Sequence, residues 1–158
     1  MRTILLLVVL FTFLTSTSSH GQTKASDPEI ASLVRELSWN SVGGECNGVW
    51  RIFPDGTAAK RLVEIGKAAT PQLIQVLTDE ERGVAAHLIL TAIWDGENIT
   101  VENSVEGDDL KVAYSIHVYN GLRWTEVINW KDRSVTHWVD PADLAINLQK
   151  WKRKLSGK

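Results

Sequence analysis

Apolar positions recur at helical spacing in the first half of the chain and alternate with polar ones in the second. That division predicts helices followed by strands. Ser26-Asp27-Pro28-Glu29 places a capping hydroxyl, a proline and an acid at a helix start, and Ile30, Leu33, Val34 and Leu37 continue it as an amphipathic helix over 27–39. Residues 40–56 hold Gly43, Gly44, Gly48, Pro54 and Gly56 and predict an irregular loop that packs back through Val49, Trp50, Ile52 and Phe53. A helix over 57–65 turns Leu62, Val63 and Ile65 inward and stops at Gly66. Thr70-Pro71 opens the next, with Leu73, Ile74, Val76 and Leu77 apolar, and Asp79-Glu80-Glu81 supply the N-cap and first-turn acids of a helix over 80–94. That last helix is apolar almost all round, so it is expected to be the buried centre of the fold.

After Asp95-Gly96 the period becomes two. Ile99 and Val101 predict a short strand, and residues 102–109 an acidic turn. Leu110, Val112, Tyr114, Ile116 and Val118 then alternate with Lys111, Ala113, Ser115, His117 and Tyr119, the pattern of a half-buried strand. Asn120-Gly121 turns the chain into a second strand over 122–130. A two-residue turn would pair Val118, Ile116, Tyr114 and Val112 with Arg123, Thr125, Val127 and Asn129. A three-residue loop (Tyr119, Asn120, Gly121) pairs them with Leu122, Trp124, Glu126 and Ile128. Because a one-residue slip exchanges the faces, burial of the aliphatic set favours the three-residue loop. In that register Glu126 lies opposite Tyr114 on the apolar face, where burial would raise its pKa unless Tyr114 or a basic residue reached it. A third strand over 134–139 has an open register, and Asp140-Pro141 starts a final helix, about 141–155, with Leu144, Ala145, Leu148, Trp151 and Leu155 as its apolar stripe.

Residues 58–94 carry a further pattern: Pro71 opening a helix, an inner stripe of Leu73-Ile74 and Leu77, Asp79 between helices, then Val84 and the apolar segment 86–93. This resembles a HEAT-like helical repeat, with Ala85 standing where that family often has Arg. The resemblance implies a helical hairpin of the kind used as a protein-binding scaffold. It covers one unit and the helix before it, whereas a solenoid needs several. The expected fold class is therefore α+β: a HEAT-like helical bundle (about 26–95), a small antiparallel sheet (about 97–139) and a C-terminal helix, in a single domain over 22–158.

The first residues change the compartment. Arg2, an apolar run over 4–14 and the small-residue tail TSTSSHGQ read as a cleavable signal peptide over 1–21, with cleavage before Gln22. The run is shorter than the roughly 20 residues needed to span a bilayer, and no cysteine follows it for lipid attachment. A secreted or periplasmic location is expected. Removing 1–21 takes one Arg from 17 basic and none from 19 acidic residues, leaving 16 against 19 and a net charge near −3, without the basic excess of a nucleic-acid binder. One cysteine cannot form an internal disulfide, so the core must hold the fold, and seven tryptophans are available to fill it.

Chemistry is sparse. Cys46 lies in the Gly-rich segment GGECNGVW, with packing, pairing between chains or a nucleophilic role as its alternatives. His87 sits alone on the least apolar line of the central helix, without the second ligand of an HExxH pattern. His117 and His137 lie on strands where, with Glu126, they could approach a metal, although no spacing demands one. The acids at 102, 106, 108 and 109 lack the alternation of a calcium loop. The basic cluster of Lys150, Lys152, Arg153, Lys154 and Lys158 suits the final helix dipole, and Asn98-Ile99-Thr100 fits a glycosylation sequon. No catalytic residue, metal or cofactor is assigned. The expected function is a non-catalytic protein-binding module with an unidentified protein partner and no nucleic acid or membrane span. Glu126, Trp124, Tyr114, His117 and Cys46 are the binding candidates. The alternatives are a small hydrolase using Cys46, Glu126 and a His, and an inhibitor or immunity-type protein.

Overall fold

The computed structural model describes residues 25–46, 50–96, 101–109 and 112–157. The expected signal peptide over 1–21, the Asn98 sequon and Ile99 lie outside the described residues. In chain order the elements are α1 (Asp27–Arg35), β1 (Val42–Cys46), β2 (Trp50–Pro54), α2 (Gly56–Ile65), α3 (Thr70–Gln75), α4 (Gly83–Trp94), β3 (Val101–Asp109), β4 (Val112–Tyr119), β5 (Leu122–Asn129), β6 (Ser134–Trp138) and α5 (Pro141–Leu155). The architecture is mixed α+β, with one two-stranded and one four-stranded antiparallel sheet. Among the described residues no helix is long and apolar enough to cross a membrane.

Local chemistry sets the helix ends. The Ser26 hydroxyl accepts from the Glu29 amide and starts α1 as the sequence implies. The helix stops at Arg35 rather than near 39, because Ser38 begins a 3-10 turn of its own. The Ser38 hydroxyl accepts from the Asn40 amide, and the Ser41 hydroxyl accepts from the Ser38 amide, a reciprocal capping box. The expected loop over 40–56 holds a β-hairpin, in which β1 and β2 pair from Val42↔Pro54 to Cys46↔Trp50. Glycine-rich sequence concealed strands whose pairing lies in the backbone.

The α3–α4 connection departs from a simple N-cap. One carboxylate oxygen of Asp79 accepts from the amides of Glu81 and Arg82, and the Asp79 carbonyl accepts from Gly83, so Asp79 caps a turn that precedes α4. The helix begins at Gly83, where a Cβ would lie 2.6 Å from the Leu77 carbonyl oxygen. Only a residue without a side chain lets the chain leave α3 and enter α4 this closely.

The central helix is as buried as its composition implies, with every residue from Gly83 to Thr91 inaccessible. Its two sides serve two cores. Ala85, Ala86, Ile89 and Leu90 join Ile30, Val34, Leu62, Leu73 and Leu77 of the helical layer. Val84 and Leu88 join Ile52, Tyr119, Leu122, Trp124, Val139 and Leu144 against the sheet. An all-round apolar helix is the consequence of standing between two layers.

The segment expected as an acidic turn, 102–109, is strand β3. It pairs with β4 from Val101↔Tyr119 to Glu106↔Tyr114, followed by a register shift before Asp109↔Val112. The β4–β5 register also differs from expectation. Asn120 (φ +46°) and Gly121 (φ +79°) are both left-handed, which makes a two-residue turn whose twist matches the strands. The pairs are therefore Tyr119↔Leu122, Val118↔Arg123, His117↔Trp124 and Ser115↔Glu126. The buried face carries Ser115, His117, Tyr119, Leu122 and Trp124, while Tyr114, Ile116 and Val118 turn the other way. Aliphatic content misjudged the face because the inward set is aromatic and hydrogen-bonding instead. The third strand takes the register Glu126↔His137 and Ile128↔Val135. In α5 the buried line is Leu144, Asn147 and Trp151, with Ala145 exposed.

Candidate functional site

The two-residue turn divides the sequence-predicted site residues between the two faces of the sheet. Trp124, Glu126 and His117 share the inner face. Tyr114, expected opposite Glu126, instead pairs with Val127 on the outer face. Cys46 ends β1, and its side chain lies outside the described residues.

On the inner face the β4–β5–β6 order brings two imidazoles to one carboxylate. Nε2 of His117 lies 3.5 Å from one oxygen of Glu126, and Nε2 of His137 lies 3.5 Å from the other. Each ring is itself stacked: His117 on Trp124 with centroids 5.3 Å apart, and His137 on Trp39 at 4.6 Å with the planes 9° from parallel. The order Trp39, His137, Glu126, His117, Trp124 thus ties the 3-10 turn of the helical half to three strands. An ionised carboxylate only accepts, so each facing Nε2 carries the proton of its long, weak hydrogen bond. The His117 hydrogen bond, and then that of His137, pull the Glu126 pKa down to about 2 against the opposing effect of burial. The structure thus reverses the rise that burial alone would cause, and the donors are histidines rather than Tyr114. The imidazoles approach opposite oxygens instead of converging on one point, and no group of three possible ligands among the described residues is arranged to hold a metal ion.

His87 belongs to a separate network. It is fully buried on α4, 3.0 Å from the indole N–H of Trp151 at Nδ1 and 2.9 Å from the Tyr119 carbonyl at Nε2. An indole N–H can only donate, so Nδ1 must accept, and Nε2 carries the proton given to the carbonyl. Burial is the main reason its pKa falls to about 4. This is a neutral, fully paired core histidine.

The outer face is the part that sequence reasoning missed. Tyr114 and Ile116 of β4, Thr125 and Val127 of β5, and Trp138 of β6 line an open apolar groove of about 380 Å³. Trp138 is 57% exposed and Tyr114 46%. Two signals pointed to it: the Asn-Gly dipeptide, which favours a two-residue turn, and the aromatic residues in both phases of β4.

No protein-family model matches this chain, and no curated protein or solved structure matches it either.

Proposed function

We propose that this protein is a non-catalytic binding module of the secretory or periplasmic space, which holds a protein partner on the outer face of its four-stranded sheet. The observation that carries this reading is the open groove in which exposed Tyr114 and Trp138 flank half-buried Ile116 and Val127, opposite a face already committed to the core. Aromatic anchors in open apolar grooves are the residues that dominate protein interfaces, and contiguous exposed apolar surface is uncommon without a role. The charge pattern of the first 21 residues supports the compartment. The succession of α3, the Asp79 turn and α4 supports a HEAT-like unit as the helical half. In this reading the unit serves as scaffold and the sheet as contact surface.

The hydrolase reading has one observation in its favour, the meeting of Glu126 with His117 and His137. A carboxyl group with a pKa of about 2 has no proton to donate near neutrality and is a weak base there. That chemistry suits a structural anion better than an acid–base catalyst.

Affinity capture from the native envelope fraction tests the proposal with two forms of the bait, wild type and Trp138→Ser. A protein retained by the first and lost by the second, at physiological salt, is the expected result. Equal capture by both forms, or none by either, would count against the sheet as the contact surface.

A further inference from the structure

Helix α5 presents a short buried line of Leu144, Asn147 and Trp151, which sets Leu144 in the sheet-side core and Trp151 in the helical one. Its polar attachments are few and nameable. The Trp151 indole donates to His87 of α4, whose other nitrogen donates to the Tyr119 carbonyl at the end of β4. Lys150 donates to the carbonyl of Asn120 in the hairpin turn, and Lys154 pairs with Asp95 at the end of α4. The Asn120 side chain completes the set by donating to Thr91 and Asp95.

Two features weaken this docking. Asn147 is 2% exposed, and neither its amide oxygen nor its amide nitrogen has a hydrogen-bond partner among the described residues. Docking α5 thus removes an amide from water without replacing its hydrogen bonds, which is a direct cost to the docked state. The second is the proton arrangement at His87. Both ring nitrogens are committed, one as donor and one as acceptor, so an added proton would put an N–H against the N–H of Trp151.

We propose that α5 is an acid-released element, docked near neutrality and swung away from α4 and the hairpin when His87 takes up a proton. The hinge is the junction between Val139, which stays in the sheet core, and Asp140, whose side chain caps α5. Undocking removes Trp151 from His87 and from the helical core, withdraws Leu144 from the sheet-side core, and returns Asn147 to water.

The charged groups around His87 are consistent with this. Lys150 and Lys154 on α5 oppose its protonation while docked, and Asp95 at the end of α4 favours it. The sign follows from the depressed folded value. With the ordinary imidazole value of 6.5 taken for the undocked state and about 4 for the docked one, the contribution of neutral His87 to docking is complete above 6.5 and is lost progressively down to 4. These two values raise the opening equilibrium of α5 by about 100-fold between pH 7 and pH 4.

Hydrogen exchange with peptide resolution, corrected for intrinsic rates, reads this on the purified chain. The expected result is a loss of protection near 100-fold over α5 from pH 7 to pH 4, while Leu88–Leu90 of α4 stay protected. Unchanged protection in α5, or its loss together with α4, would overturn the proposal. His87→Gln keeps a donor and an acceptor without a titrating proton, and should abolish the step. If that variant does not fold, the His87 ring resonances of the unmodified chain are followed from pH 7 to pH 4 by NMR, and opening of α5 with no change at that ring would equally overturn the proposal. Asn147→Leu should raise α5 protection at pH 7 by removing the unmet amide, and lower protection would contradict the claim that Asn147 poises the helix.

Discussion

Replacing Glu126 by Gln preserves shape and removes the charge shared by His117 and His137. The fall in the Glu126 pKa from 4.5 to about 2 corresponds to at most about 3 kcal/mol of preferential stabilisation of the carboxylate. The side chain is 29% exposed and both imidazole separations are 3.5 Å, so solvent screening reduces the expected loss to about 1–2 kcal/mol. In a domain of this size that lowers the melting temperature by roughly 3–10 °C. The sign with pH is fixed by the depressed folded value. The carboxylate's contribution is complete above about 4.5 and disappears as pH falls towards 2. Urea titrations of both proteins at several pH values from 7 to 2.5 should therefore show a gap that narrows on acidification. His87 titrates between 6.5 and 4 in both forms, so it cancels in the difference. A gap that is absent at pH 7, or that stays constant down to pH 2.5, would refute the assignment of Glu126 as an ionised structural anion.

Three other substitutions separate packing from surface. Gly83→Ala should destabilise by about 1–3 kcal/mol, since its methyl meets the Leu77 carbonyl at 2.6 Å; a neutral result in thermal denaturation would mean that the α3–α4 connection yields easily. Leu88→Ala, on the sheet side of the central helix, should cost about 2–5 kcal/mol in urea denaturation, and a loss under 1 kcal/mol would contradict the two-sided burial of α4. Trp138→Ser should cost no more than about 1–2 kcal/mol, because more than half of the residue stays in solvent; a loss of about 4 kcal/mol would show that the ring is part of the core.

The helical half was readable because its signals are local. Ser26, Gly66 and Asp140 mark boundaries through their own backbone and capping chemistry, and the apolar surplus of α4 reports that it has neighbours on both sides. The sheet was less readable because its determinants are pairings between distant segments. Residues 102–109 looked like a solvated turn, yet β4 supplies a partner for their backbone. The face of β4 was misread for a physical reason: Val112, Ile116 and Val118 are individually the more apolar set, but His117 and Tyr119 find partners inside. The candidate site was half legible. Glu126 was recognisable as a carboxylate in an unusual position, and His117 and His137 as its possible neighbours. Trp39 is 98 residues from the His137 it stacks on, a distance over which no sequence spacing operates. The outer groove was hidden by the same error of register.

The division of labour between the two faces of the sheet is open to one direct measurement. Fluorine labels on the tryptophans give each indole its own resonance, and the captured partner can be titrated against them. The expected result is a shift or broadening of the Trp138 signal while Trp124 and Trp39 remain unchanged. Movement of Trp124 and Trp39 with Trp138 unaffected would move the contact surface to the Glu126 side and contradict the assignment of the outer face.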